Sequence, residues 1–418
     1  MLPAAPDRDA QELAMQSALG QYLIPFKGVA ADEVRIALER ARDLAIQYGT
    51  EDDVFWIVYG LQFHYIVRLE LKTARALGER QLAIAERSGD SAKRMGAYVA
   101  MAQTLVLTGE PETARELCDR ALRLPRDLSA LPSDPPGANG HRRRDRPLGD
   151  IGDARAMILS SSASVLALLG YIDRSLRRSD EAVATAGSSG PHSLIVAINS
   201  AAELRFRLRD WDGVLERAAA MENLAEEREM PLWSAYARAL RGQVFINCDR
   251  VEEGIDLITA AARVYETTPA TGYQWRIHYA DALGRLGRTD EALALIGEIE
   301  THLTEVGWAV SAPELQRLRA GFLLRRGAPG DTAAAEASLR RAIEIAHRQH
   351  ARLFEVRAAT DLAHLLDSEG RRAEAHALLG EIYGQFTEGF DARDLKDARA
   401  LLDRLADRPA PPADKNPP

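Results

Sequence analysis

The chain has 418 residues, more than one compact core ordinarily holds, so it is either several domains or a repeat array. Apolar residues make up 46% and the helix formers Ala, Leu, Glu and Arg are prominent, which excludes a largely disordered chain. The net charge of −9 lacks the basic footprint of a general nucleic-acid binder, so no nucleic-acid partner is expected.

The N-terminus, MLPAAPDRDAQELA, has neither a basic nor an apolar leader segment, and no stretch approaches the roughly 20 apolar residues of a membrane span. No membrane partner is expected, and the cytoplasm is the expected location. The two cysteines, Cys118 and Cys248, are too far apart for a metal motif or a disulfide framework.

Taken in chain order, the first units are two helix pairs over 12–48 and 52–88. A recurrent turn then appears: a helix ends near Gly, and an acidic and a small residue open the next one. It reads LTGEPETARELCDRAL (107–122), LGYIDRSLRRSDEAV (169–183), LGRTDEALALI (286–296) and SEGRRAEAHALL (368–379). Small or slim residues recur 12 positions apart across these turns: Ala102 and Ala114, Ala163 and Ser175, Ala202 and Val214, Gly242 and Gly254, Ala280 and Ala292, Ala363 and Ala375. Such pairs let two antiparallel helix axes approach closely. Larger residues follow on the same face of the second helix: Cys118 and Ala121, Ile258 and Ala261, Ile296 and Ile299, Leu379 and Ile382.

Successive first helices are 61, 39, 40 and 38 residues apart from Ala102 to Ala280, and 83 more residues reach Ala363. The last interval fits two units, the intervening one carrying Gly321 and AEASLRRAIEIA (335–346) across a longer loop. A last helix is expected near 392–405, with Asp391 as its N-cap and Asp394 adding acid to its first turn. The expected fold is all-α: a right-handed superhelical solenoid of about nine antiparallel helix pairs, tetratricopeptide-like, with a period near 40. Its segments are N-terminal repeats over 1–123, a Pro/Gly/Arg-rich loop over 124–153, central and C-terminal repeats over 154–390, a capping helix over 391–405 and a disordered tail over 406–418.

In such a superhelix the first helix of each pair lines the concave face, and the residue after the small one points into it. Those residues are Gln103, Ser164, Glu203, Gln243, Asp281 and His364, all polar in otherwise apolar helices. Asn199, Arg207, Tyr236, Asn247, Gln274, Arg285, Arg357 and Thr360 share their face. From Asn199 to His364, this set is the expected ligand-binding groove.

Other residues that could carry chemistry have plainer readings. His347 and His350 share a helix face but lack a third ligand, so they read as exposed helix-end residues. His278, between Trp275 and Tyr279, reads as surface or core packing, and Cys118 as an inert buried thiol. HRRRDR (141–146) reads as a solvated loop run, and Ser161 and Ser162 lack a nucleophile elbow. Glu116 and Asp119 stand four residues before Arg120 and Arg123, the spacing of helix-surface ion pairs. No cofactor, metal site or catalytic residue is expected.

Several stretches carry a resemblance: YGLQFHYIVRLELKTARALGERQL (59–82), LALLGYIDRSLRRSDEAVATA (166–186), REMPLWSAYARALRGQ (228–243) and above all 337–405, with its block IYGQFTEGFDARDLKDARALL (382–402). Over roughly 16–405 the chain resembles the C-terminal repeat region of large bacterial proteins that join a class III nucleotide cyclase, or another effector, to a STAND-type ATPase and a tetratricopeptide tail. It departs from them in having no Gly-x-x-x-x-Gly-Lys-[Ser/Thr] loop, no cyclase domain and no helix-turn-helix, so neither activity carries over. The resemblance implies a fragment, a split relative or a stand-alone regulator. The expectation is a non-catalytic sensor scaffold that binds a protein, peptide or small effector on its concave face, with a cyclase/ATPase signalling protein as candidate partner. The alternatives are a structural oligomerisation module and an enzyme with a site between repeats.

Overall fold

The computed structural model describes residues 5–125, 153–264 and 269–407. Among them are nineteen helices and no strand. The first three pairs are α1 (Ala5–Lys27) with α2 (Asp32–Tyr48), α3 (Glu51–Val67) with α4 (Leu71–Ser88), and α5 (Ser91–Leu107) with α6 (Pro111–Leu122). The next three are α7 (Ala154–Leu168) with α8 (Ile172–Gly187), α9 (Pro191–Arg207) with α10 (Trp211–Glu227), and α11 (Pro231–Asn247) with α12 (Val251–Ala262). Then come α13 (Pro269–Arg285) with α14 (Thr289–Val306), α15 (Ala312–Arg326) with α16 (Asp331–Arg348), α17 (Arg352–Ser368) with α18 (Arg372–Tyr383), and a single α19 (Arg393–Asp407). The fold is therefore the all-helical, tetratricopeptide-like solenoid that the periodicity implies, and neighbouring first helices mostly open about 40 residues apart.

One turn is repeated through most of the pairs. Its last backbone N–H reaches five residues back to a carbonyl of the first helix: Glu70 to Tyr65, Glu110 to Leu105, Tyr171 to Leu166, Asp210 to Arg205, Arg250 to Phe245, Arg288 to Leu283 and Arg371 to Leu366, all at 2.8–2.9 Å. The residue just before each donor has left-handed φ: Leu69, Gly109, Gly170, Arg209, Asp249, Gly287 and Gly370. This closes the helix C-terminus by satisfying its orphan carbonyls, and it is why glycine recurs there.

The small-residue pairs meet as their spacing requires. The Ser175 hydroxyl donates to the Ala163 carbonyl at 2.7 Å, a direct contact between α7 and α8. A Cβ on Gly242 would lie 2.8 Å from the Gly254 carbonyl oxygen, and one on Gly254 would lie 2.5 Å from that of Gly242, so α11 and α12 touch backbone to backbone. Cys118, Ala121, Ile258, Ala261, Ile296, Ile299, Leu379 and Ile382 are all buried behind those contacts.

Three details depart from expectation. The small buried residue of α15 is Ala320; Gly321 faces the interior with open space where a Cβ would stand. Ala392, not Asp391, precedes α19, and its carbonyl accepts from Leu395 and Lys396. Asp391 is fully exposed and pairs with Lys396 at 3.3 Å. Arg120 reaches across to Glu86 on α4 and lies over the Tyr98 ring of α5 at 5.0 Å, because these two helices together offer a carboxylate and a π face.

The core runs on from α6 to α7: Leu117, Cys118 and Ala121 share one apolar cluster with Met157 and Ile158. Most of the 124–153 loop, including HRRRDR, and most of the 406–418 tail lie outside the described residues. The coil then closes on itself. The Leu107 carbonyl, at the end of α5, accepts from Ala309 and Val310 N–H at 2.9 and 3.1 Å, between α14 and α15. At α8, Arg174 pairs with Glu388 at 2.9 Å and Asp173 accepts from Gly389 N–H at 3.1 Å.

Candidate functional site

Closure narrows the concave groove to a half-open cavity of about 810 Å³, within the range of small-ligand sites. Its wall comes from the inner faces of α9, α11, α13, α15 and α17, with Val106 and Leu107 of α5 and Trp308 and Val310 completing it. Glu203, Arg207, Asn247, Gln274, Asp281, Arg285, Arg357 and His364 of the expected groove line this cavity. Gln103 and Ser164 do not.

The other four expected groove residues sit behind or beside it. Gln243 is 1% exposed and Tyr236 7%, both buried in α11 because the tight curl brings α9, α11 and α13 together there. The Tyr236 hydroxyl donates to Glu203 Oε1 at 2.5 Å, and Asn199 Nδ2 donates to the same oxygen at 3.3 Å. Thr360 is also buried, its hydroxyl satisfied by the Val356 carbonyl at 2.8 Å; with Arg357 and His364 it lines a smaller cleft of about 300 Å³ against α19.

The floor is an ionic network between distant repeats. Asp394, 3% exposed, accepts from Arg357 at 2.5 and 3.1 Å and from Arg209 at 3.0 Å. Arg357 also reaches Glu314 at 3.2 Å and the Arg207 carbonyl at 2.7 Å. Arg317 bridges Glu314 at 3.1 Å and Asp361 at 3.0 Å. Burial raises the carboxyl of Asp394, but Arg357 and Arg209 outweigh it and hold the group below its ordinary value. Burial likewise lowers Arg357, and Asp394 with Glu314 outweighs that, so both partners stay charged. On the opposite wall Arg285 bonds Asp281 at 3.0 Å and Asn247 Oδ1 at 3.4 Å.

The apolar part was hidden from the groove register. Phe206 packs edge-on to His278 with centroids 4.9 Å apart and tilts against Trp211 at 5.3 Å. His278 therefore belongs to the cavity wall, not to plain surface or core, and burial lowers its imidazole to about 4. Glu314 and Arg317 fall outside the groove register because it places α15 on Gly321, and Asp361 because on α17 the register takes in Arg357, Thr360 and His364 only. Only their i,i+3 and i,i+4 spacing, Glu314 to Arg317 and Arg357 to Asp361, signals a shared face.

The remaining candidates stay outside this site. His347 is exposed and its Nδ1 lies 2.9 Å from Glu355. Ser161 and Ser162 are buried within α7. Burial pushes the Cys118 thiol up to about 12, as an inert packed cysteine requires. Among the described residues no group of three or more metal-type ligands occurs, and no helix is long and apolar enough to cross a membrane.

No family model matches the chain, and no curated protein does. Solved structures share its helical-repeat architecture. A Rap protein complexed with competence and sporulation factor is 13% identical over 74% of this chain and 80% of its own, with a TM-score of 0.49. The apo form of RapI is 12% identical over 95% and 99%, with a TM-score of 0.44. A human IFIT1 dimer with PPP-AAAA is 15% identical over 96% and 93%, with a TM-score of 0.42. The likeness is one of fold.

Proposed function

We propose that this protein is a non-catalytic regulatory scaffold that takes a peptide, a protein segment or a small effector into its concave cavity. The observation that carries the reading is the cavity itself: about 810 Å³ of space walled by consecutive inner helices and lined by aromatic rings and polar side chains. The resemblance of 337–405 to the repeat tails of cyclase and STAND-type ATPase proteins supports a place in a bacterial signalling system, with such a protein as the partner that reads the ligand state.

Gly321 supplies the test. It is a helix-interior glycine whose missing side chain leaves open space on the cavity wall. Gly321→Phe should obstruct the cavity while leaving the fold intact, since every side chain but proline improves on glycine's helix propensity. Partner capture by the tagged full chain should be lost in Gly321→Phe at an unchanged or raised Tm. Retained capture of the same partners by this variant would refute binding in the cavity.

A further inference from the structure

Arg207 is a charge of the cavity wall that has no ion pair among the described residues. It ends α9 with Glu203 one turn before it, a spacing at which glutamate and arginine ordinarily pair. Here Glu203 is instead held by Tyr236 and Asn199. Among the described residues the Arg207 guanidinium has no carboxylate within ion-pair distance, and its Nη1 is buried without a hydrogen bond. Its charged neighbour on the other side is a second cation, Arg357, which bonds the Arg207 carbonyl. Burial lowers the guanidinium's pKa, Glu203 counteracts it and Arg357 adds to it. The other buried arginines of this wall are matched: Arg357 by Asp394, Arg317 by Glu314 and Asp361, Arg285 by Asp281. A fold that only needed α9 to pack would keep Arg207 paired with Glu203 or replace it by an apolar residue, because an unpaired buried charge is costly.

We propose that Arg207 holds the anionic group, a carboxylate or a phosphate, of a small ligand whose apolar part lies against Phe206, Trp308 and Phe354. The planar fork of the guanidinium matches both oxyanions in a two-point hydrogen bond. The aromatic side chains lie on the same cavity wall. This inference rests on the cavity being the binding site, and it adds the chemical class of what enters.

Native mass spectrometry of the full chain tests it with two matched probe pairs. One pair is a pool of N-acetyl tetrapeptides with free C-terminal carboxylates and the same pool amidated. The other is N-acetyl-O-phosphotyrosine amide and N-acetyltyrosine amide. At least one anionic probe should bind one-to-one and at least tenfold more tightly than its neutral counterpart, and which pair responds identifies the source of the charge. Arg207→Gln should weaken that binding tenfold or more, Arg207→Lys should retain part of it, and Arg341→Gln, on an exposed face of α16, should not change it. Equal binding of charged and neutral probes, no adduct with any probe, or unchanged binding by Arg207→Gln would overturn the proposal. Neutral and charged probes that bind equally but are blocked by Gly321→Phe would leave the cavity reading standing and remove only the anion. Anion binding indifferent to Gly321→Phe would remove both. Without ligand, Arg207→Gln should melt no lower than the parent chain, and a fall of several degrees would mark Arg207 as structural and overturn its role as an anion holder.

Discussion

His278 shows how the cavity changes a single residue. Its ring lies against Phe206 in the wall, and the loss of water around it lowers the imidazole from its ordinary 6.5 to about 4. The side chain is therefore neutral at physiological pH and offers one donor and one acceptor to a ligand. Between pH 6.5 and about 4 the unfolded chain binds a proton at this position that the folded chain refuses. Stability thus stays level above 6.5, falls as the pH drops through that window and levels off below about 4. His278→Phe should lose less Tm than the parent between pH 7 and pH 5, as followed by circular dichroism. Parallel Tm curves for the two proteins would show that His278 is not the group at work. Buried His64 titrates in the same direction for the same reason, which makes the comparison of variants, rather than the absolute slope, the informative reading.

At the scale of elements, α19 is more than a cap. Leu395, Ala398, Leu401 and Leu405 recur at three- and four-residue spacing and are buried in the same cluster as α17 and α18. Asp394, in its first turn, ties it to α17 through Arg357 and to the turn after α9 through Arg209. Arg209 adopts left-handed φ, which an arginine tolerates here with two carboxylates, Asp394 and Asp397, holding its side chain at 3.0 Å each. Asp394→Ala leaves the buried Arg357 short of its main partner, and breaking such a pair costs about 3–5 kcal/mol. Arg357→Met combined with Asp394→Leu removes both charges and should recover much of that loss in urea unfolding. A double variant no more stable than Asp394→Ala would show that the interaction is not this ion pair.

The whole molecule is a coil closed by contacts between distant repeats. The closure joins an apolar seam, in which Leu69 and Leu71 share a buried cluster with Leu283, Ile296 and Phe322, Leu168 with Ala346 and Phe354, and Ile172 with Phe386, to a polar fringe of Arg174 with Glu388, Asp173 with the Gly389 amide and Arg209 with Asp397. Exposed ion pairs are each worth little and are screened by salt, whereas the seams within each pair are apolar and backbone-deep. The apolar seam between distant repeats should therefore hold the coil shut when these pairs are lost. Reversing Arg174→Glu together with Arg209→Glu should leave the radius of gyration in small-angle X-ray scattering unchanged at unchanged helical circular dichroism. An enlarged radius would mean that the polar fringe, not the apolar seam, holds the coil shut.

What the amino-acid sequence determined by itself was everything local: helix content, the turn that ends each first helix, and the 12-residue pairing of Ala163 with Ser175 or Gly242 with Gly254. Those features depend on the geometry of two adjacent helices, and sequence spacing reports that geometry directly. It also placed eight of twelve groove residues on the cavity wall, because one face of a helix repeats with a fixed period. Only the tertiary structure decided that the groove closes into a cavity, that Gln243 and Tyr236 lie behind its wall, and that Arg209, Arg357 and Asp394 meet across 185 residues. Those outcomes depend on small rotations between successive repeats, which accumulate along the coil and leave no periodic signature in the chain.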